Sequence, residues 1–167
     1  MDIVIKQATN NNIPTIVALA SKIWRAHYPG IISNAQIDFM LSNRYSEQAL
    51  LKQISGNEKF FLVSDGQTPV AYASIEERNN DYYIHKFYVD ISLHRSGIGT
   101  ALFQKLIAEI KTAKPVRLQV NRKNYKAINF YFKNGFVIES VGDFDIGGGY
   151  FMEDFVMVKK DRDTADF

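Results

Sequence analysis

Along His94-Arg95-Ser96-Gly97-Ile98-Gly99-Thr100 the chain changes from an extended to a helical pattern. Residues 82–89 before it read as a strand. After it Ile98, Leu102, Leu106 and Ile110 recur every four residues, and Phe103 and Ile107 widen the stripe, which predicts a helix over 98–112. Gly97 and Gly99 permit a tight backbone path and close approach of a ligand, while the first helical N–H groups have no partner within the helix. A phosphate there gains direct bonds and the favourable end of the helix dipole. Arg95 adds positive charge at the rim, and Ser96 and Thr100 offer hydroxyls or caps. An ordinary glycine turn before a helix accounts for the same residues. The run is not a Walker loop, since no Gly-Lys-Ser/Thr follows, and it lacks the third glycine of the dinucleotide fingerprint.

Moving outward, Ile3 and Ile5 alternate in a first strand, and Asn11 or Asn12 can cap a helix that tolerates Pro14 in its first turn. Ile13, Val17, Ala20 and Trp24 give that helix an apolar stripe to about His27, where Tyr28-Pro29-Gly30 stops it. Residues 33–55 read as one or two short helices, with Ile37, Met40 and Leu41 as one packing face and Leu50, Leu51 and Ile54 as another. They form either a substrate wall or a cover for the core. Strands follow over 58–63, 70–76 and 82–89, separated by Ser64-Asp65-Gly66-Gln67 and by the polar residues 78–81. The second half continues with a strand over 116–120, a helix over 124–134 closed by Gly135, and strands over 136–138 and 150–158. Such alternation predicts a layered α/β domain over 1–160 with a polar tail over 161–167.

With 167 residues the chain suits one substantial core. Hydrophobic residues make up 46% and charged residues 23%, an ordinary globular balance. Twenty basic against eighteen acidic side chains leave a formal +2, which does not suit binding driven by nucleic-acid phosphates. No residue is cysteine, so disulfides, thiolate metal sites and cysteine nucleophiles are excluded. His27, His85 and His94 lack a metal-ligand spacing, and no metal is expected. No apolar stretch reaches a membrane span and the start is unlike a secretion signal, so a cytoplasmic protein is expected.

Asn121-Arg122-Lys123-Asn124-Tyr125-Lys126-Ala127-Ile128-Asn129-Phe130-Tyr131-Phe132-Lys133-Asn134-Gly135-Phe136 follows an apolar strand, and its Asn124, Ala127 and Tyr131 share one helix face. Together with residues 94–100 it resembles the acetyl-CoA-binding signature of the GNAT superfamily of N-acetyltransferases. There the first segment reads Gln/Arg-x-x-Gly-x-Gly/Ala. Gly97 and Gly99 match, whereas His94 stands where Gln or Arg is usual. Asn124 corresponds to the coenzyme-side asparagine, Ala127 to a close-packed small residue and Tyr131 to the frequent tyrosine acid. The likeness spans nearly the whole chain. Trp24-Arg25-Ala26-His27-Tyr28-Pro29-Gly30, residues 84–89 and residues 142–157 are similar to the bacterial spermidine/spermine N-acetyltransferase branch.

The resemblance implies a mixed α+β fold, with a central, mostly antiparallel sheet, a V-shaped splay and flanking helices. It implies acetyl-CoA as cosubstrate, with its pantetheine arm along Phe87, Tyr88 and Val89. His94, Arg95, Ser96, Gly97, Ile98, Gly99 and Thr100 would hold its pyrophosphate, and Asn124 and Ala127 would line it. Tyr131 would serve the departing thiolate. The base stays open among His85, Glu76, Glu77 and a water. For the acceptor, Trp24, His27 and Tyr28 are candidate walls, and Glu76 and Glu77, or Glu153 with Asp154, are candidate partners of a cation. Solvated strand-edge charges explain the carboxylates equally well, and a packed Trp24 with a helix-end His27 is the favoured reading of that pair.

The function implied is direct acetyl transfer in a ternary complex to a primary amine, foremost a polyamine such as spermidine or spermine. Rival readings are acetylation of protein N-termini, lysines or aminoglycoside-like acceptors, and a coenzyme-binding regulatory module without catalysis. The family's habit of pairing through its later strands makes 136–158 the expected interface of a homodimer, an internally paired monomer being the other reading.

Overall fold

The computed structural model describes residues 1–160; the polar tail expected over 161–167 lies outside the described residues. Among them seven strands hydrogen-bond in the order β1-β2-β3-β4-β5-β7-β6. These are β1 (Ile3–Gln7), β2 (Glu58–Asp65), β3 (Thr68–Glu77), β4 (Tyr82–Val89), β5 (Val116–Asn121), β6 (Val137–Gly147) and β7 (Tyr150–Lys159). The helices are α1 (Ile13–His27), α2 (Asn34–Arg44), α3 (Glu47–Ser55), α4 (Ile98–Ile107) and α5 (Tyr125–Lys133). The ladders β1/β2, β2/β3, β5/β7 and β6/β7 are antiparallel and β4/β5 is parallel, the mixed and mostly antiparallel sheet the sequence predicts. The chain divides into two compact units, one of Met1–Glu76 with His85–Lys111 and one of Glu77–Ile84 with the residues from Thr112 onward.

In the first unit α1 buries Ile13, Ile16, Leu19, Ala20, Ile23 and Trp24. This stripe is rotated from the expected one, and Val17 lies at its margin. Asn12 precedes α1 without capping it, because its Oδ1 accepts from the Thr9 backbone N–H at 2.9 Å. Two serines split residues 33–55 into two helices. Ser33 Oγ accepts from Gln36 N–H at 3.1 Å and Ser46 Oγ from Ala49 N–H at 3.2 Å, each supplying an orphan donor of a first turn with a partner. Ile37, Met40 and Leu50 are buried as expected, whereas Leu51 is exposed. β2 and β3 are longer than the apolar runs that announce them, closing on Gly66 at φ 57. Phe60, Phe61, Leu62, Val63, Ala71, Tyr72 and Ala73 are buried there. Each large apolar side chain among them is worth roughly 1.5–3 kcal/mol when taken from water.

The helix expected over 98–112 ends at Ile107. Glu109 N–H then bonds Leu106 O at 3.0 Å and Ile110 N–H bonds Ile107 O at 3.1 Å, a tightening to three-residue spacing that ends the four-residue ladder.

In the second unit β5 pairs with β7, and β7 with β6. The strand expected over 136–138 proves to be eleven residues long. Its outer part lacks alternation because most of its side chains are exposed, so backbone pairing with β7 defines it. Gly148 and Gly149, at φ 63 and 80, join the two strands in a two-residue loop whose positive φ values suit the primed hairpin turn. α5 starts on Asn124, whose Oδ1 accepts from Ala127 N–H at 3.4 Å. It ends in a Schellman motif: Phe136 N–H bonds Tyr131 O at 3.0 Å, Gly135 N–H bonds Phe132 O at 3.1 Å, and Gly135 sits at φ 89.

Candidate active site

The loop from β4 to α4 lies in the first unit. Arg95 adopts φ 70 and Gly97 φ 87, a left-handed path that costs a side chain energy and is retained where a backbone must be shaped. A Cβ added at Gly97 would meet nothing within 4 Å, so open space faces that backbone. α4 begins at Ile98, and Ser96 Oγ accepts only a long 3.5 Å bond from Ile98 N–H while donating to Leu93 O at 2.6 Å. His94, at the position that departs from the family pattern, donates from Nε2 to Val89 O at 3.1 Å and so ties the loop to the end of β4. The open backbone, the left-handed pair and the helix start fit an anionic diphosphate.

β4 itself carries an irregularity that strict strand alternation does not anticipate. Arg78 N–H bonds Asp81 O at one end and Asp90 N–H bonds Val70 O at the other, so β4 uses one residue more than β3 between them, as in a β-bulge. Alternation would put His85 and Lys86 on opposite faces. Instead both approach Glu58: His85 Nδ1 is 3.7 Å from its Oε1, and Lys86 Nζ is 3.2 and 3.4 Å from its two oxygens. Ser74 Oγ donates to Glu58 Oε1 at 3.2 Å, and His85 Nε2 lies 2.6 Å from Glu76 Oε2. Glu58, Ser74 and Lys86 are buried, whereas His85 stays about one-third exposed. Burial lowers the Lys86 ammonium's pKa, and the Glu58 carboxylate acts against that.

Aromatic rings gather in the same unit. Trp24 lies 4.3 Å from Tyr28, 5.4 Å from Tyr45 and 5.5 Å from Tyr88 between ring centroids, and Tyr88 stacks on Tyr72 at 5.4 Å. The Tyr28 and Tyr88 hydroxyls share a 2.9 Å hydrogen bond, and His27 meets the edge of Tyr28 at 4.9 Å. Lys86 Nζ lies over the Tyr45 and Phe60 rings at 5.7 and 5.0 Å. Tyr72 Oη and Trp24 Nε1 are buried without a hydrogen-bond partner. Burial, reinforced by neighbouring tyrosines, pushes the Tyr45 and Tyr72 phenols well above their ordinary range.

Of the residues singled out in the sequence, Trp24, His27, Tyr28 and Tyr88 are therefore brought together, and so are His85 and Glu76. Phe87 instead meets Phe103, edge to face at 6.4 Å. Glu77 stands apart from Glu76. It is exposed in the second unit and accepts from Lys114 Nζ at 2.8 Å, a bond that lowers its pKa. Ala127 and Tyr131 lie on α5 in the second unit, and Asn124 caps it. Tyr131 is buried between Phe130 at 5.7 Å and Phe136 at 5.6 Å, and the Schellman turn holds its backbone. Glu58, Ser74, Tyr45, Tyr72 and Lys86 were not singled out in the sequence. A lone acid opening an apolar strand and a tyrosine amid small residues were their only local signs. Among the described residues no group of three His, Cys, Asp or Glu side chains could hold a metal, and no helix is long and apolar enough to cross a membrane.

Residues 32–143 match the acetyltransferase (GNAT) domain family. The chain is 26% identical over 167 residues to spermidine N(1)-acetyltransferase of Thermoplasma acidophilum, covering 96% of this chain and 98% of that one. An uncharacterised N-acetyltransferase of Mycobacterium tuberculosis is 27% identical over 150 residues, which is 87% of this chain and 95% of that protein. Among solved structures, the PaiA N-acetyltransferase of T. acidophilum in complex with coenzyme A superposes with a TM-score of 0.79 at 26% identity, over 96% of this chain and 100% of that one. The ribosomal-protein-S18-alanine N-acetyltransferase of Escherichia coli shares the fold, with a TM-score of 0.72 at 17% identity over 95% and 93% of the two chains.

Proposed function

This chain belongs to the GNAT acetyltransferases, and on that premise we propose that it acetylates a primary amine of a polyamine such as spermidine or spermine. The observation that carries the reading is the 2.6 Å contact of His85 with Glu76, in the unit that also gathers five aromatic rings. Acetyl-CoA supplies the activated acyl group and a thiol leaving group. The residues present fit it: the left-handed loop, Gly97 and the α4 start would hold the diphosphate, and the Phe87–Val89 backbone would pair with the amide arm. By their place in the family motif, Asn124 and Ala127 would contact it too.

An attacking nitrogen must be neutral. With its Nε2–H donated to Glu76, His85 presents Nδ1 as the proton acceptor, and the carboxylate steadies the imidazolium that forms. By its place in the family motif, Tyr131 would protonate the departing thiolate. Tyr88, half-buried beside the buried Trp24 and Tyr28, would offer its ring to a chain of methylenes and ammonium groups. Holding both reactants in line lowers the barrier without covalent chemistry by the protein.

The exposed apolar side chains of Val137, Ile138, Val141 and Phe151 support a homodimer through residues 136–158. Sedimentation of the purified protein checks it, a monomer at all concentrations being the contrary result. For the activity, release of free CoA is followed with spermidine, spermine, peptides and an aminoglycoside as acceptors. Faster release with the polyamines is expected. Preference for peptides would replace the acceptor, and no release with any amine, despite coenzyme binding, would leave a non-catalytic module.

A further inference from the structure

Asp90, where β4 passes into the loop that leads to α4, is a buried carboxylate that the proposed mechanism does not use. Its side chain is 8% exposed, and its polar groups are all engaged within the first unit. Oδ1 accepts from Ser92 N–H at 3.0 Å and from the Ser92 hydroxyl at 2.8 Å, and Oδ2 accepts from Lys22 Nζ at 2.5 Å. The backbone N–H of Asp90 donates to Val70 O at 2.8 Å, and its carbonyl accepts from Leu93 N–H at 2.9 Å. Leu93 carries the next link: its carbonyl accepts from Ser96 N–H at 3.2 Å and from the Ser96 hydroxyl at 2.6 Å. The bonds therefore run without a break from Asp90 to the residue that lies between the left-handed Arg95 and Gly97, just before α4 begins. Lys22 reaches Asp90 from α1, and its own side chain is mostly exposed.

Ordering a free backbone costs roughly 1–2 kcal/mol per residue, so a glycine-containing loop that is shaped only on contact with an anion loses much of the binding energy to its own ordering. A carboxylate bonded to an amide, a hydroxyl and an ammonium makes strong, charge-assisted bonds that order such a loop during folding instead. We propose that Asp90 is a positioning residue for the coenzyme: with Lys22 it holds the β4–α4 loop in the path that would receive the diphosphate, so that the loop is formed before acetyl-CoA arrives. Asp90 does not touch the coenzyme. Its charge repels an anion, both its oxygens are spent within the loop and on α1, and it acts through Leu93 and Ser96. The benefit falls on the diphosphate end of the coenzyme alone, because the amide arm would pair with the backbone of β4. This rests on the reading of the loop as the diphosphate cradle of a GNAT acetyltransferase, and it names the side chain that shapes that cradle.

The test measures CoA binding by calorimetry, and acetyl transfer from acetyl-CoA and from S-acetylpantetheine, a donor without the diphosphate. D90N is nearly isosteric and removes the charge that Lys22 meets. It should weaken CoA binding by about tenfold, the loss expected when the competent path is populated about one-tenth of the time. Its kcat/KM should fall by the same factor with acetyl-CoA, through KM, and by less than about twofold with S-acetylpantetheine. Lys22→Met alters an exposed side chain, spares the fold and should weaken CoA in the same direction, and Lys22→Arg should keep the parent's affinity. Equal losses with the two donors would make Asp90 a merely structural group and overturn the proposal, as would a D90N protein that binds CoA like the parent. Gly97→Val, strained at φ 87, separates this inference from the reading beneath it. If Gly97→Val weakens CoA binding and D90N does not, only the role of Asp90 fails; if neither does, the diphosphate cradle fails and this inference with it.

Discussion

Lys86 and Glu58 form the contact with the clearest cost at the level of single residues. Both are buried, so removing the cation leaves a carboxylate in a site from which water is largely excluded. Lys86→Met should destabilise the fold by about 3–5 kcal/mol in urea unfolding, and Lys86→Met with Glu58→Gln should recover most of that. If the double variant is no better than the single, the pair does not carry the cost. For the chemistry, Tyr131→Phe should lower kcat by about 100-fold or more while coenzyme affinity, read by calorimetry, stays within about twofold. His85→Gln should do the same. That Ala127 and Tyr131 lie on one helix capped by Asn124 was legible in the sequence, because the spacing is local. The Glu58 cluster was not, since its members come from β2, β3 and β4 and meet only through strand register.

Elements were read well where a cap or a period marks them, and poorly where only pairing does. Gly135 was placed correctly because a left-handed residue after a helix favours glycine. Gly135→Ala should cost about 1–2 kcal/mol in thermal unfolding, since φ is 89 and the new Cβ would stand 2.7 Å from Lys159 Nζ. That ammonium donates to Asn134 O at 2.8 Å, so the substitution disturbs a second helix-end contact. Asparagine at this position should cost less than alanine. β6 escaped the sequence because alternation signals a half-buried face, and most of its residues are exposed. α4 was overextended for the opposite reason: Ile110 keeps the four-residue phase, but the backbone has already tightened after Ile107.

For the molecule as a whole, the dependence of stability on pH combines opposed contributions. Arg78, supported by Arg117, holds the Asp81 carboxyl below its ordinary range. Burial would raise Asp90, but hydrogen bonds from Lys22 and Ser92 outweigh it and keep this group low as well. Their stabilisation is present above about pH 4 and is lost as pH falls through the lowered values. Asp154 acts the other way, because its carboxyl is raised to about 6. Its contribution is full below about pH 4 and is lost as pH climbs toward 6, by roughly 3 kcal/mol at the upper end. The parent should therefore gain less stability between pH 4 and 6 than D154N does, as measured by denaturant midpoints across that window; parallel curves would show that Asp154 titrates normally. The extra residue of β4 has a consequence on another timescale. Deleting one residue between Asp81 and Asp90 would equalise the two strands between those bonds and move every side chain on one side of the deletion to the other face. Descendants of this sequence can exchange side chains along the segment more freely than they can change its length, so insertions and deletions should be rarer here than substitutions.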